Sequence, residues 1–409
     1  MGKPQDRFPS GRLPTMPLKG ICSRKRHLSG RVYGMAVRRF ILIALFASLL
    51  LQMAGCGTGL QNDGISGGSA NQAQAALPDG WTVYRPDDEF SSVLIAGDTV
   101  LFGGLNGLFA LTADRSDLTE IPHGAASFHL VKALLADPEG RLWVGHQAGV
   151  TCLPGFVKDG RQAAPVPNPG VDLALATGQK VGMVNDFMLD GKGMLYAGTY
   201  NGALLLSPDA IRTWLKSGTA TGFQWMAEKD GLTSPMVNAM LCDTRGDRWF
   251  GAYIARGGGV ACFHDGIVQS FNHDSGLADD YVTTIAEDLD GAVWVGTGVY
   301  MTGGASRFVR RNGAYVSDGL LTRDSGLAGE KVRYIHIDRQ GNRWFCSEYD
   351  GVAVFGKDGQ RIRLLTKQEG LPDNEVKQMA EDAEGNLWFA CRRGVLRIGA
   401  QAAGVVTKP

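Results

Sequence analysis

Tyr200, Tyr253, Tyr300 and Tyr349 recur once in each of four successive stretches of the chain, each just past a short apolar run. Phenols in this arrangement can stack on apolar faces and hydrogen-bond polar edges, which suits a glycan, a small molecule or a protein surface. Other polar groups hold comparable positions. Asn106, His146, Arg256, Glu348, Arg392 and Arg393 follow such runs, while His129, Asn185, Asn238, Tyr281, Arg333 and Lys377 stand where the next runs begin. These side chains make up the candidate ligand-binding set; the alternative is that the tyrosines only cover neighbouring loops. Catalytic chemistry has less to draw on. No HExxH, phosphate loop or dinucleotide fingerprint occurs. Asn272-His273-Asp274-Ser275 contains His, Asp and Ser, but triad members must converge from separate elements, so this reads as a turn. Asp288-Leu289-Asp290-Gly291 begins like a calcium loop, then runs straight into a strand, so it reads as a hairpin. Cys152, Cys242, Cys262, Cys346 and Cys391 lack zinc spacing and read as buried small hydrophobes, with Cys346 and Cys391 the one pair placed to bridge. The histidines are scattered. No catalytic residue, metal or cofactor is assigned.

The elements that would position these groups come from a repeat. Six segments carry a Val-led apolar run, then Asp-x-x-Gly-x-x-aromatic, then a small residue two positions on. They are Asp137-Gly140-Trp143, Asp190-Gly193-Tyr196, Asp243-Gly246-Trp249, Asp288-Gly291-Trp294, Asp338-Gly341-Trp344 and Asp382-Gly385-Trp388. A degenerate seventh precedes them, from Val93-Leu94-Ile95 through Gly97 to Phe102 and Gly104. Aromatic-to-aromatic spacings of 41, 53, 53, 45, 50 and 44 residues each accommodate one four-stranded blade. The apolar run is an inner strand buried on both faces. Asp opens a turn by bonding backbone two residues on, Gly closes it, and the aromatic starts the second strand. Gly145, Gly198, Gly251 and Gly296 allow close packing. Gly-Leu pairs at 231, 276, 326 and 370 lead into the next Val. The expected fold is all-β: a seven-bladed β-propeller of four-stranded antiparallel blades. The last blade has only three strands, so Trp81-Thr82-Val83-Tyr84 is expected to complete it and close the ring. Ser207–Leu215 reads as a capped surface helix between blades three and four.

The Asp-Gly-Leu…Val…Asp-x-x-Gly-x-x-Trp arrangement resembles the two-component regulator propeller repeat across roughly residues 81–398. That resemblance implies a periplasmic sensor-type module of the kind found in hybrid histidine kinases. Those sensors add a second propeller, an immunoglobulin-like module, a transmembrane helix and a kinase. This chain is expected to hold one propeller and to need a separate protein to signal.

The chain of 409 residues has 41 basic and 41 acidic side chains, unevenly placed. Residues 1–40 hold ten Lys/Arg and one acid, leaving 31 basic and 40 acidic in the rest. An acidic body without a basic stripe argues against nucleic acid. Arg38-Arg39, the apolar run Phe40–Leu51 and Met53-Ala54-Gly55-Cys56 resemble a bacterial lipoprotein signal, with Cys56 as the lipidated residue. Met53 stands where such signals usually carry Leu, and Met35 is the start codon that would give a normal length. The expected organisation is a 1–55 extension and signal, a 56–79 Gly/Ser-rich tether, an 80–400 propeller and a 401–409 tail. Together these expectations describe a non-enzymatic, lipid-anchored outer-membrane module that binds a glycan or small molecule on its loop face. A protein-interaction scaffold, or a polysaccharide or peptide lyase or hydrolase, are the alternatives.

Overall fold

The structure is a computed structural model that describes residues 77–408 except 113–115, 125, 159–160, 163–169 and 255–256. The signal, Cys56, most of the tether and Arg256 fall outside the described residues. Seven four-stranded antiparallel sheets follow one another along the chain. Their first strands are Phe90–Ala96, Ala133–Ala136, Val184–Leu189, Val237–Cys242, Val282–Glu287, Val332–Ile337 and Val376–Glu381. Seven hydrophobic clusters join neighbouring blades, and one of them packs Trp388, Ala390 and Val395 of the last blade against Phe90 and Phe102 of the first. The sheets therefore form a closed ring. The closing strand is Trp81–Tyr84, paired antiparallel with Val395–Ile398, Trp81 opposite Ile398 and Tyr84 opposite Val395.

The repeat motif has a definite local job. In five of the six copies the Asp Oδ1 accepts backbone N–H groups two and four residues on; for Asp338 these are Gln340 N at 3.0 Å and Asn342 N at 2.7 Å. The Gly amide closes the turn onto the Asp carbonyl, with a positive φ that glycine tolerates, as at Gly341 (83°). The second carboxylate oxygen receives the aromatic six residues on: Trp143, Trp249, Trp294, Trp344 and Trp388 Nε1 at 2.7–3.3 Å, and the Tyr196 hydroxyl at 3.2 Å. Asp288 is the exception in its first oxygen, which bonds Leu289 N instead. Its turn is nonetheless a hairpin, as the sequence implied. The glycines after the aromatic face the next blade: a Cβ on Gly145 would lie 2.8 Å from Val184 Cγ1, and on Gly198 3.0 Å from Val237 Cγ1.

Two helices depart from expectation. The first is capped by Ser207, whose Oγ accepts Ala210 N at 3.1 Å, and spans Pro208–Ser217 with Trp214 fully buried. It joins the third and fourth strands of blade three, Gly202–Leu206 and Gln224–Met226, rather than two blades. The second, Ala400–Val406, lies in the stretch read as a tail, with Ala403 and Val406 buried in the cluster of the last two blades. The Asn272–Ser275 segment is a turn of 3₁₀ helix, His273–Ser275, with Ser275 Oγ 2.9 Å from Asn272 Oδ1. All five described cysteines are free thiols, Cys242 half-buried and the others buried.

Candidate functional site

Each first strand begins on the face where each second strand ends. Tyr253 N, just past Arg248–Ala252, donates to Met236 O; Glu348 N donates to Lys331 O and Arg392 N to Glu375 O. The loops between second and third strands and those leading into first strands therefore gather on one face, as expected. The inner strands carry a second feature there. In six blades their register slips between the leading apolar residue and the residue two on. Such a bulge drops one residue out of the ladder and re-aims its side chain. The residues skipped are Ser91, Asn185, Asn238, Thr283, Arg333 and Lys377, and with Lys132 of blade two all seven line one central channel of about 190 Å³.

Their hydrogen bonds run around the ring. Lys132 Nζ donates to Asn185 Oδ1 at 2.8 Å, Asn185 Nδ2 to Val237 O at 3.0 Å, and Asn238 Nδ2 to Val282 O at 3.1 Å. Thr283 Oγ1 donates to Val332 O, and Lys377 Nζ bonds Glu89 and sits 3.4 Å from Glu375. Burial pulls the Lys132 ammonium down to a pKa of about 8, helped by the charges of Arg333 and Lys377 and opposed by Asp186. Asp186 lies one layer deeper. It lines the channel half-buried, and burial raises its pKa to about 7. The amides of Met240 and Phe187, at 2.7 and 2.8 Å, and the Lys132 charge hold it back from rising further.

This has a measurable consequence. An unfolded aspartate titrates near 3.9. A folded value raised to about 7 means that Asp186 stabilises the fold below about pH 4, a contribution lost as pH climbs through 7. Urea unfolding of Asp186→Asn and wild type should therefore show a stability gap that moves in the variant's favour between pH 4.5 and 7.5. The limit is about 1.4 kcal/mol per pH unit. A pH-independent gap would show that the carboxylate is not buried in this way. Comparing the two chains cancels the opposite slope of His146 and His336, which burial holds near 4 in both.

The tyrosines lie around the channel mouth. Tyr253 meets Tyr281 edge to face at 5.0 Å, and Lys331 reaches over the Tyr253 ring at 5.3 Å while donating to its hydroxyl at 3.0 Å. Lys331 also pairs with Glu348 at 2.6 Å, and Glu348 accepts from Arg333 at 3.5 Å and from the Tyr349 hydroxyl at 3.1 Å. Burial and the neighbouring Tyr253 both raise the pKa of Tyr200 and of Tyr281, and Tyr349 rises to about 12 through burial and Glu348. Tyr200, Tyr300 and Tyr349 remain 43%, 73% and 49% exposed. Of the sequence-derived set, the structure thus brings together Tyr200, Tyr253, Tyr281, Tyr300, Tyr349, Glu348, Arg333, Asn185, Asn238 and Lys377. Arg392 is exposed at the edge, 3.9 Å from Glu375. Asn106 and His129 are exposed on the first two blades, and His146 is buried within blade two, away from any channel role.

Sequence reasoning missed Lys132, Thr283 and Ser91. They hold the position just after the first residue of the inner run, as Asn185, Asn238, Arg333 and Lys377 do. Aligning the repeats on that residue rather than on their loops finds all seven. Lys331 and Asp186 were missed for want of any side-chain alternation that separates the layers.

Residues 370–393, the last copy of the repeat, match the family described as Two component regulator propeller. No curated protein matches the sequence. Among solved structures, the extracellular domain of the putative hybrid two component system BT3049 from B. thetaiotaomicron is similar at 19% identity and a TM-score of 0.62, over 80% of this chain and 42% of that one. PorZ, a surface component of the type-IX secretion system of Porphyromonas gingivalis, is similar at 14% identity and a TM-score of 0.53, over 76% of this chain and 46% of that one. This chain thus spans less than half the length of either. Virginiamycin B lyase from Staphylococcus aureus matches over 78% of this chain and 98% of its own, at 12% identity and a TM-score of 0.53. At these identities the likeness is one of fold. The match falls on the last of six copies of the blade motif that stand in register along the chain, so the chain carries a repeat of the two-component regulator propeller type on a seven-bladed fold.

Proposed function

We propose that this protein is a sensor-type binding propeller of the cell envelope, lipid-anchored through Cys56, that takes a glycan or small polar molecule on its loop face. The observation that carries the reading is convergence. Half-exposed phenols ring a mouth whose floor is built from seven polar residues, six of them set by bulges and three of the seven cationic. Flat rings suit the apolar faces of a sugar, while amides, hydroxyls and ammonium groups suit its polar edge. The floor is too small for a whole oligosaccharide, so a ligand would rest on the rim and send one polar group inward. The extracellular setting of the BT3049 domain and the surface setting of PorZ support an envelope location.

The test begins with an oligosaccharide array on the folded protein, followed by calorimetry on the strongest hit. Tyr300→Ala should weaken that hit about tenfold, the worth of one stacked ring, with an unchanged melting curve, because Tyr300 is mostly exposed. Equal affinity in the variant removes the tyrosine rim from the reading, and an array without hits removes the glycan. Incorporation of labelled fatty acid that Cys56→Ala abolishes tests the anchor.

A further inference from the structure

We propose that His123, His146 and Asp172 form a binding site for one transition-metal ion of the zinc class on the second blade. The site is independent of the ligand reading above. Its three side chains come from separate segments: His123 from the connection between blades one and two, His146 from the end of Leu142–His146, and Asp172 from Val171–Asp172. One ligand atom from each lies within 4.8 Å of the other two. His123 Nε2 is 2.8 Å from Asp172 Oδ1. A four-coordinate ion with bonds of about 2.0–2.2 Å sets its donors roughly 3.4 Å apart, so from separations within 4.8 Å the donor distances change by at most about 1.4 Å. Asp172 can supply most of that movement, since its side chain is 63% exposed at the end of a two-residue strand.

The donor set selects the ion. Two imidazoles and one carboxylate suit zinc and its first-row neighbours, whereas calcium and magnesium want oxygens. The rings are held by packing before any ion arrives. His123 lies parallel to Phe128, centroids 4.4 Å apart and planes 7° off, and Phe128 is buried; His146 meets both edge-on at 5.2 and 5.6 Å. Thr151, fully buried, gathers the three donors: its hydroxyl donates to Asp172 Oδ1 at 2.5 Å and lies 2.9 Å from His146 Nε2 and 3.4 Å from His123 Nε2, so a bound ion replaces it at the imidazoles while it keeps its bond to Asp172. Each ring would ligate through Nε2 with its proton on Nδ1. For His146 this surrenders the 3.3 Å bond that Nδ1 accepts from Ala148 N, a weak contact at an exposed turn. The fourth position is left for water or for a donor atom of a ligand.

The experiment titrates Co²⁺ into the tag-free, chelator-treated full-length protein and follows the visible spectrum. One equivalent should bind with d–d bands and without the near-ultraviolet thiolate charge-transfer band, which separates this site from the cysteines, and Zn²⁺ should displace it. His123→Ala and Asp172→Asn should each lower affinity at least about tenfold. Both side chains are partly exposed, so circular dichroism should stay that of wild type. His273→Ala, at an exposed turn on blade four, should change nothing. No saturation below about 1 mM, a thiolate band, or equal affinity in both variants overturns the proposal.

Discussion

A chain lacking residues 77–84 is expected to lose its cooperative fold. Trp81–Tyr84 is the outer strand of the last blade and pairs residue for residue with Val395–Ile398. Removing it unmakes about four ladder hydrogen bonds, each worth on the order of 1 kcal/mol net. Trp81, Val83 and Tyr84 pack against the clusters of the last blade and its neighbours, and Tyr84 stacks on Trp388 at 6.2 Å. Their burial adds roughly 1–2 kcal/mol each. The sum is on the order of 5–10 kcal/mol, the size of the whole stability of an ordinary domain. The deletion also bares Val395–Ile398, three of whose four residues are buried, as an apolar edge open to aggregation. The truncated chain should therefore show no sigmoidal urea transition and rapid proteolysis. A synthetic peptide spanning residues 77–90, supplied in trans, should restore protease resistance, and Thr82→Lys at the exposed position of the strand should be harmless. A truncated chain that melts like the full one would mean the ring is held without its latch.

How much of this was legible in the sequence depends on the scale of the interaction. The turn of each blade is local: Asp, Gly and an aromatic within seven residues close both the backbone and the indole bond. That spacing is written directly into the chain, and so is the latch, because Trp81–Tyr84 is an apolar strand with no partner nearby. The channel was half legible. Bulges that turn Asn185 and Lys377 inward also turn Thr283 inward, and Lys132 joins them from an unbulged blade, but a bulge follows from pairing and has no residue signature of its own. His123 and Asp172 were illegible for a related reason. They flank the least regular part of the repeat, where a two-residue strand replaces a full one, and only tertiary packing brings them beside His146. The helix Ala400–Val406 was missed because Gly399 caps it without a side chain and Gly404 interrupts it. Buried Ala403 and Val406 sustain it where propensity would not.

Replacing Asp338 by Ala should destabilise the protein by about 3–5 kcal/mol. The carboxylate is 2% exposed and accepts four hydrogen bonds: Gln340 N at 3.0 Å, Asn342 N at 2.7 Å, Asn342 Nδ2 at 2.8 Å and Trp344 Nε1 at 2.9 Å. Alanine leaves the three buried donors, Asn342 N, Asn342 Nδ2 and Trp344 Nε1, without an acceptor, and each unsatisfied buried donor costs about 1–3 kcal/mol before relaxation. Asp358 separates the turn from the buried acceptor. It makes the same local bond to Gln360 N at 3.0 Å, but on the surface and with no indole, so Asp358→Ala should cost under about 1 kcal/mol. Trp344→Phe removes one donor and keeps a ring in the space between blades, which should cost about 1–2 kcal/mol. Combined with Asp338→Ala, it should cost less than the two separately, since the orphaned indole N–H is then gone. Urea midpoints of the four variants measure each step. If Asp338→Ala proved as mild as Asp358→Ala, the aspartate would be a turn former alone, and the tryptophan six residues on would owe its place to packing rather than to that bond.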